Sequence, residues 1–181
     1  EIFVGIPSVV YGWLGLTILV PLIKDIFHLR FGFSVLAAGI VLAVMIFPTI
    51  TSLAADALRS IPQGYRAASY GLGATRWQTI AKVVVPAAVT GLMTAVILGL
   101  ARAFGEALAV AMVIGKMRAF PTSILSPTNN LTAAIAADMG GAMEGSEYNI
   151  ALWTMALLLF IISLACIFTI HCLGNKGGEK A

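Results

Sequence analysis

PAAVTGLMTAVILGLARAFGEALAVAMVIG, residues 86–115, is an apolar run whose only charges are Arg102 and Glu106. A stretch of this length and polarity is long enough to cross the hydrocarbon core of a membrane as a helix. A charge at mid-membrane costs about 2.5–3.5 kcal/mol on insertion scales, so such residues face protein or a watery pathway. At 100° per residue, Gly91, Ala95, Gly99, Arg102, Glu106 and Ala109 fall on one face of the predicted helix. Met93, Val96, Ile97, Leu100, Phe104 and Leu108 fall opposite. The pattern predicts a small, charged working side and a large, oily lipid side.

The rest of the chain has the same character. Its 181 residues are 60% hydrophobic and 10% charged, against about 25% charged in soluble domains. That composition places it among integral membrane proteins, and its spans read as helices, an all-α class. A dispersed net charge of +3, with no basic cluster interleaved with aromatics, argues against nucleic acid as a partner. Cys166 and Cys172 fall on opposite sides of a helix, which predicts buried thiols rather than a disulfide or metal pair. His28 and His171 are isolated from each other, near opposite membrane surfaces. The chain opens at Glu1 without an initiator Met, charged leader or cleavage site, and reads as truncated at its start.

Four apolar runs, about 2–22, 33–55, 86–115 and 149–173, are long enough to span. A polar link, KDIFHLRFG, joins the first two. An amphipathic insert at 56–85 precedes the third, a polar loop at 116–148 follows it, and 174–181 is a polar tail. Arg59, Arg66, Arg76, Lys82, Lys176 and Lys180 lie on one side of the membrane; Lys24, Arg30, Lys116 and Arg118 lie on the other. The bias favours a cytoplasmic insert and tail. Within the insert, Ser60 with Pro62 marks a helix start, Gly71 and Gly73 end that helix, and Thr75-x-x-Gln78 has the form of a capping box. Pro86 opens the next span. A hairpin of interfacial helices resting on the headgroups is the simpler alternative.

The spacing inside the insert resembles the cytoplasmic signature of ABC-importer permeases: Glu-Ala-Ala, three residues, Gly, nine residues, Ile-x-Leu-Pro. Ala67-Ala68-Ser69, Gly73 and Val83-Val84-Val85-Pro86 fall in that frame, with Ala67 where the family has Glu. GIPSVVYG (5–12), LAVMIFPTITSLAADALRSIP (42–62), ARAFGEALAV (101–110) and LTAAIAADMGGAMEGSEYNIALW (131–153) narrow the resemblance. They look like phosphate-importer permeases of the PstC type rather than the PstA type.

The resemblance implies a MetI-like helical bundle of six core helices with the hairpin between the fourth and fifth. Four spans with the hairpin after the second would mean that the first two core helices are absent. Residues 1–173 would form a single permease domain, with 56–85 as the coupling insert and 174–181 as a cytoplasmic tail. Arg66, Ala67, Ala68, Ser69, Gly73, Ala74 and Pro86 would carry the coupling contact to an ATPase subunit. The implied partners are a PstA-like second permease, ATPase subunits, an external phosphate-binding protein and membrane lipid, in a bacterial or archaeal cell membrane. No cofactor is expected on this chain: G-x-x-x-x-G-K-[ST] is missing, and ATP would be used by the partner ATPase.

Arg102 offers a planar fork of donors that matches phosphate oxygens. Glu106 would pair with it, or with an Arg of the partner permease, as a switchable gate; a static intramembrane salt bridge is the alternative. Pro7 and Ser8 interrupt the first run, and either line the path or mark a packing kink. Asp138, Glu144 and Glu147 either meet the binding protein or form a solvated acidic loop. Trp13, Trp77 and Trp153 read as interfacial anchors or packing residues. Another oxyanion is the neighbouring alternative for the substrate. An intramembrane channel or hydrolase using Arg102 and Glu106 is the alternative from another class, although paired His residues and a Ser/His/Asp set are missing.

Overall fold

The computed structural model describes residues 6–178, with the side chains of Ile170, His171 and 173–178 left out; the start of the first run and the end of the tail lie outside the described residues. Helices α1 (Ser8–Leu14) and α2 (Val20–Ile26) are joined by a π-turn at Gly15–Leu19 into one continuous span. Next come α3 (Val35–Arg59) and α4 (Gln63–Gly71). Helices α5 (Arg76–Thr79) and α6 (Val85–Phe104) are likewise joined, through a π-turn at Ile80–Val84. Helices α7 (Leu108–Val113), α8 (Leu131–Asp138) and α9 (Glu147–Gly178) complete the order. Four segments are long and apolar enough to cross a membrane: Ser8–Ile26, Val35–Arg59, Arg76–Phe104 and Glu147–Thr169. The molecule is an all-α, multi-pass membrane bundle.

The spans depart from the sequence reading at places with local causes. Pro7 is the N-cap of α1, with φ −57° and ψ 140°, and Ser8 is its first residue, so the described part of the first span starts there. The irregularity lies further on, in the π-turn. Both π-turns sit just before a proline, Pro21 and Pro86, at the opening of the next helical segment. A proline inside a helix lacks an N–H and its ring crowds the carbonyl four residues back. One wider turn at that place lets the rod continue. Pro86 therefore lies inside a helical rod that starts at Arg76, instead of opening a span. Ser60 is the C-cap of α3 and not a helix start; Pro62 caps α4. The tail begins as more helix, since α9 runs to Gly178. On the surface of this chain Cys166 is half-buried and Cys172 exposed, both on the apolar helix α9.

The small-residue stripe of the third span is the seam of the bundle, where α6 lies along α3. Ala95 is buried, and a Cβ at Gly91 would stand 2.7 Å from the Ala57 Cβ. A Cβ at Gly99 would run into the side chains of Ile50 and Ile46. Without a hydrophobic drive between helices in lipid, such close backbone approach supplies the packing. Met93, Val96, Leu100 and Phe104 face outward, as the periodicity predicts. Gly99→Leu is accordingly expected to push α3 and α6 apart, at about 1–3 kcal/mol or more. Thermal melting of the detergent-purified protein should drop by several degrees. Gly39→Ala, where a Cβ meets nothing within 4 Å, should leave the melt unchanged or raise it.

A second seam holds α1 and α2 against α3 and α7. Tyr11, Val20, Ile23, Val41, Met45, Ala109, Val110 and Val113 form its buried cluster. Gly12 is required there: a Cβ would stand 2.8 Å from the Ala109 Cα. Ser34, fully buried, starts α3 by accepting from the Ala37 N–H at 3.1 Å.

Candidate functional site

The third apolar run is not one helix. Helix α6 ends at Phe104, Gly105 and Glu106 turn, and α7 starts at Leu108. The Gly105 and Glu106 N–H groups still reach back, to the Ala101 carbonyl at 3.3 Å and the Ala103 carbonyl at 3.2 Å. The Glu106 carboxylate instead points forward, its Oε1 accepting from the Ala109 N–H at 3.1 Å. That satisfies one of the orphan donors at the start of α7. The Glu106 carbonyl accepts from the Thr132 hydroxyl at 2.9 Å, tying the break to α8.

Arg102 and Glu106 therefore do not share a helix face and make no salt bridge with each other. Arg102 occupies the last turn of α6, where a cation suits the helix dipole. Its NH1 donates to the Thr49 hydroxyl at 3.3 Å, just past Pro48 inside α3, and the side chain is otherwise exposed. The contacts Gly91–Ala57 and Gly99–Ile50/Ile46 place Arg102 level with the middle of α3. Ile46 lies about 17 Å along that helix from Val35, roughly half the ~30 Å hydrocarbon thickness. The break thus begins near mid-membrane, and its next turn carries the chain outward. Helix α1 runs parallel to α7 through the Gly12–Ala109 and Gly15–Val113 approaches. By that register Pro7 and Ser8 share the depth of the break.

Irregular backbone at membrane depth is tolerated only where protein covers it or water reaches it. Broken helices meeting near the midplane are how membrane transporters build solute sites. Among the described residues no cluster of His, Cys, Asp or Glu could hold a metal ion.

The second candidate surface is the helical hairpin of α4 and α5. Gly73, at φ +79°, makes the turn between its legs. The Gly73 N–H donates to the Tyr70 carbonyl at 2.9 Å and the Ala74 N–H to the Ser69 carbonyl at 3.2 Å. The capping box is formed: the Gln78 N–H donates to Thr75 Oγ1 at 3.3 Å, and the Thr75 N–H to Gln78 Oε1 at 2.9 Å. Ser69 and Thr79 hydroxyls, both buried, meet at 2.9 Å and clamp the legs.

The structure divides the hairpin residues named from the sequence. Ala67 and Ala68 are exposed, and Gly73 is exposed at the tip. Ser69 turns inward to the clamp. Arg66 folds back, its NH2 donating to the Leu58 carbonyl at 3.0 Å, so it anchors the hairpin to the C-terminal end of α3 instead of facing outward. Pro86 is exposed on the rod beyond the hairpin. What sequence reasoning missed is apolar: Leu72 is 89% exposed, Trp77 76%, and Tyr65 and Tyr70 about half. Exposed apolar residues beside basic ones mark a surface for a protein partner or for the membrane interface. The sign was available in the amphipathic spacing of these aromatics.

The sequence profile described as binding-protein-dependent transport system inner membrane component matches residues 1–173. The chain belongs to that family. It is 54% identical, over 97% of its length, to a probable ABC transporter permease protein, YqgH, of Bacillus subtilis. It is 35% identical, over 90% of its length, to the phosphate transport system permease protein PstC of Haemophilus influenzae. A probable PstC of Methanocaldococcus jannaschii is 32% identical over 91% of the chain. The chain spans 57% of the length of each of these relatives. No solved structure matches it.

On the face of the permease opposite the hairpin, the loop acids are not equivalent. Arg118 NH2 donates to Asp138 Oδ2 at 3.1 Å, the Tyr148 hydroxyl donates to the same oxygen, and the guanidinium stacks 4.4 Å from the Tyr148 ring centre. The Tyr148 hydrogen bond, followed by Arg118, holds the Asp138 carboxyl below its ordinary range. Its pairing is thus complete at neutral pH and is lost only as pH falls below the ordinary Asp value of about 3.9. Asp138 is committed inside this cluster, while Glu144 and Glu147 are exposed.

Proposed function

We propose that this permease forms part of the translocation path of an ATP-driven phosphate importer, with Arg102 contacting the anion in passage. One observation carries the reading. A guanidinium stands exposed on the surface of this chain at mid-membrane depth, with one hydroxyl as its hydrogen-bond partner. Lipid is a costly neighbour for such a group, so that surface belongs against other protein and a polar path. A PstA-like second permease would supply the facing wall.

The hairpin would dock on an ATPase subunit through Leu72, Trp77 and the exposed alanines, on the cytoplasmic side together with the tail. ATP would be bound and hydrolysed there and not on this chain. Arg76–Phe104 is one helical rod, so hairpin displacement reaches Arg102 along a single element. An external phosphate-binding protein would deliver substrate to the opposite face of a bacterial or archaeal cell membrane. Phosphate as the solute is supported by the relatives named PstC; the name of the 54% identical relative carries no substrate. A channel or hydrolase acting through a paired Arg102 and Glu106 lacks that pair in this geometry.

Uptake of labelled phosphate by cells carrying the assembled transporter tests the substrate. A tenfold excess of unlabelled phosphate is expected to suppress it, and the same excess of sulfate to leave it nearly unchanged. Equal suppression by sulfate would move the reading to a general oxyanion importer.

A further inference from the structure

We propose that the cleft between α6 and α9, at the end of the molecule opposite the hairpin, binds an anionic phospholipid. The cleft has a volume of about 730 Å3, within the range of sites that take small organic ligands. Its walls are apolar: Leu100 and Phe104 on one side, Met155, Leu159 and Ile162 on the other. Its mouth is polar, with Arg118, Asn129 and Tyr148, and Arg118 is the single charged residue of the lining. From Tyr148 to Ile162, α9 rises about 21 Å, enough to accompany an acyl chain through one leaflet of about 15 Å. An apolar trough of leaflet depth with one cation at its rim matches an amphiphile with a negative head.

The rim is built and held. Asp138 takes one Arg118 N–H, and the Tyr148 ring stacks beneath the guanidinium. A guanidinium has five donors, and the Arg118 side chain remains 69% exposed. Free donors thus stay directed to solvent at headgroup level, where a phosphodiester can accept them in the planar geometry Arg favours. Phe120, 95% exposed, and Met117 lie on the same loop, suited to the interfacial layer beside the mouth. The inference does not depend on which solute the permease carries.

The test is native mass spectrometry of the assembled permease, purified in detergent with equal amounts of phosphatidylglycerol and phosphatidylcholine. Phosphatidylglycerol is expected to be retained about tenfold over phosphatidylcholine, because both offer the phosphodiester but the choline cation sets a like charge near Arg118. Arg118→Gln should erase that preference, and Arg118→Lys should keep part of it. Ala103→Trp, filling the cleft beside Phe104, should abolish retention of both lipids; Leu159→Trp does the same from α9 should the first variant fold poorly. Equal retention of the two lipids by the unaltered protein would overturn the proposal. So would preference surviving Arg118→Gln, retention unaffected by both tryptophans, or absence of bound lipid because a protein segment occupies the cleft.

Discussion

Arg102→Ala is expected to lower phosphate uptake by the assembled transporter about ten- to hundredfold, the range for losing a charge-assisted hydrogen bond to the passing anion. Instability is a poor competing explanation. Arg102 donates one bond, to Thr49 at 3.3 Å, and its side chain is exposed. Removing a mid-membrane charge lowers insertion cost by about 2.5 kcal/mol or more. Membrane levels of the variant, measured beside uptake, should match the unaltered protein. Arg102→Lys keeps the charge and loses the fork, so it should fall between the two. Glu106 separates charge from architecture. Its Oε1 caps α7 through the Ala109 N–H, and Gln presents the same acceptor. Glu106→Gln is therefore expected to retain most uptake, whereas Glu106→Ala loses a cap worth about 0.5–2 kcal/mol. Unchanged uptake in Arg102→Ala at matched levels would remove Arg102 from the path; loss of uptake in Glu106→Gln would return Glu106 to a charged gating role.

The Arg102–Glu106 pair shows where sequence reasoning stops. Composition and apolar run length reveal a membrane bundle, and small residues four apart mark the face of α6 that is not oily, although the sequence reads it as a working side and the fold uses it for packing against α3. Both signals are local and periodic. The hairpin is legible for the same reason, because Gly73 and the Thr75–Gln78 box encode their turns within a few residues. The break at Gly105 is not legible. The apolar run continues through it, and what holds it open comes from far along the chain: Thr132 on the Glu106 carbonyl, and Gly12 admitting the backbone of Ala109. Helical periodicity carried across that break put two charges on one face that the fold separates. The π-turns leave no compositional trace except the proline that follows each. The Arg118–Asp138–Tyr148 cluster joins three polar residues of an ordinary-looking loop, and their spacing predicts nothing.

Leu72→Asp is expected to abolish ATPase docking while leaving the hairpin folded. Leu72 is 89% exposed and caps α4 only through its backbone, the N–H donating to the Ala68 carbonyl at 3.1 Å. Its side chain therefore contributes little to the fold. Buried against a partner, a large apolar anchor is worth about 2 kcal/mol or more, and a carboxylate in its place adds an unpaired charge to the interface. Capture of the ATPase subunit should fall at least about thirtyfold, and phosphate-stimulated ATP hydrolysis with it. Gly73 is the complementary probe, since it tests the turn and not the surface. A Cβ there meets nothing within 4 Å, yet φ is +79°, so the cost of a side chain is backbone strain alone. Gly73→Asn, tolerated in the left-handed region, should dock nearly normally. Gly73→Val should displace the tip and uncouple hydrolysis from uptake. Full ATPase capture by both Leu72→Asp and Gly73→Val would mean that the hairpin is an interfacial element resting on the membrane, and that the ATPase grips this permease elsewhere.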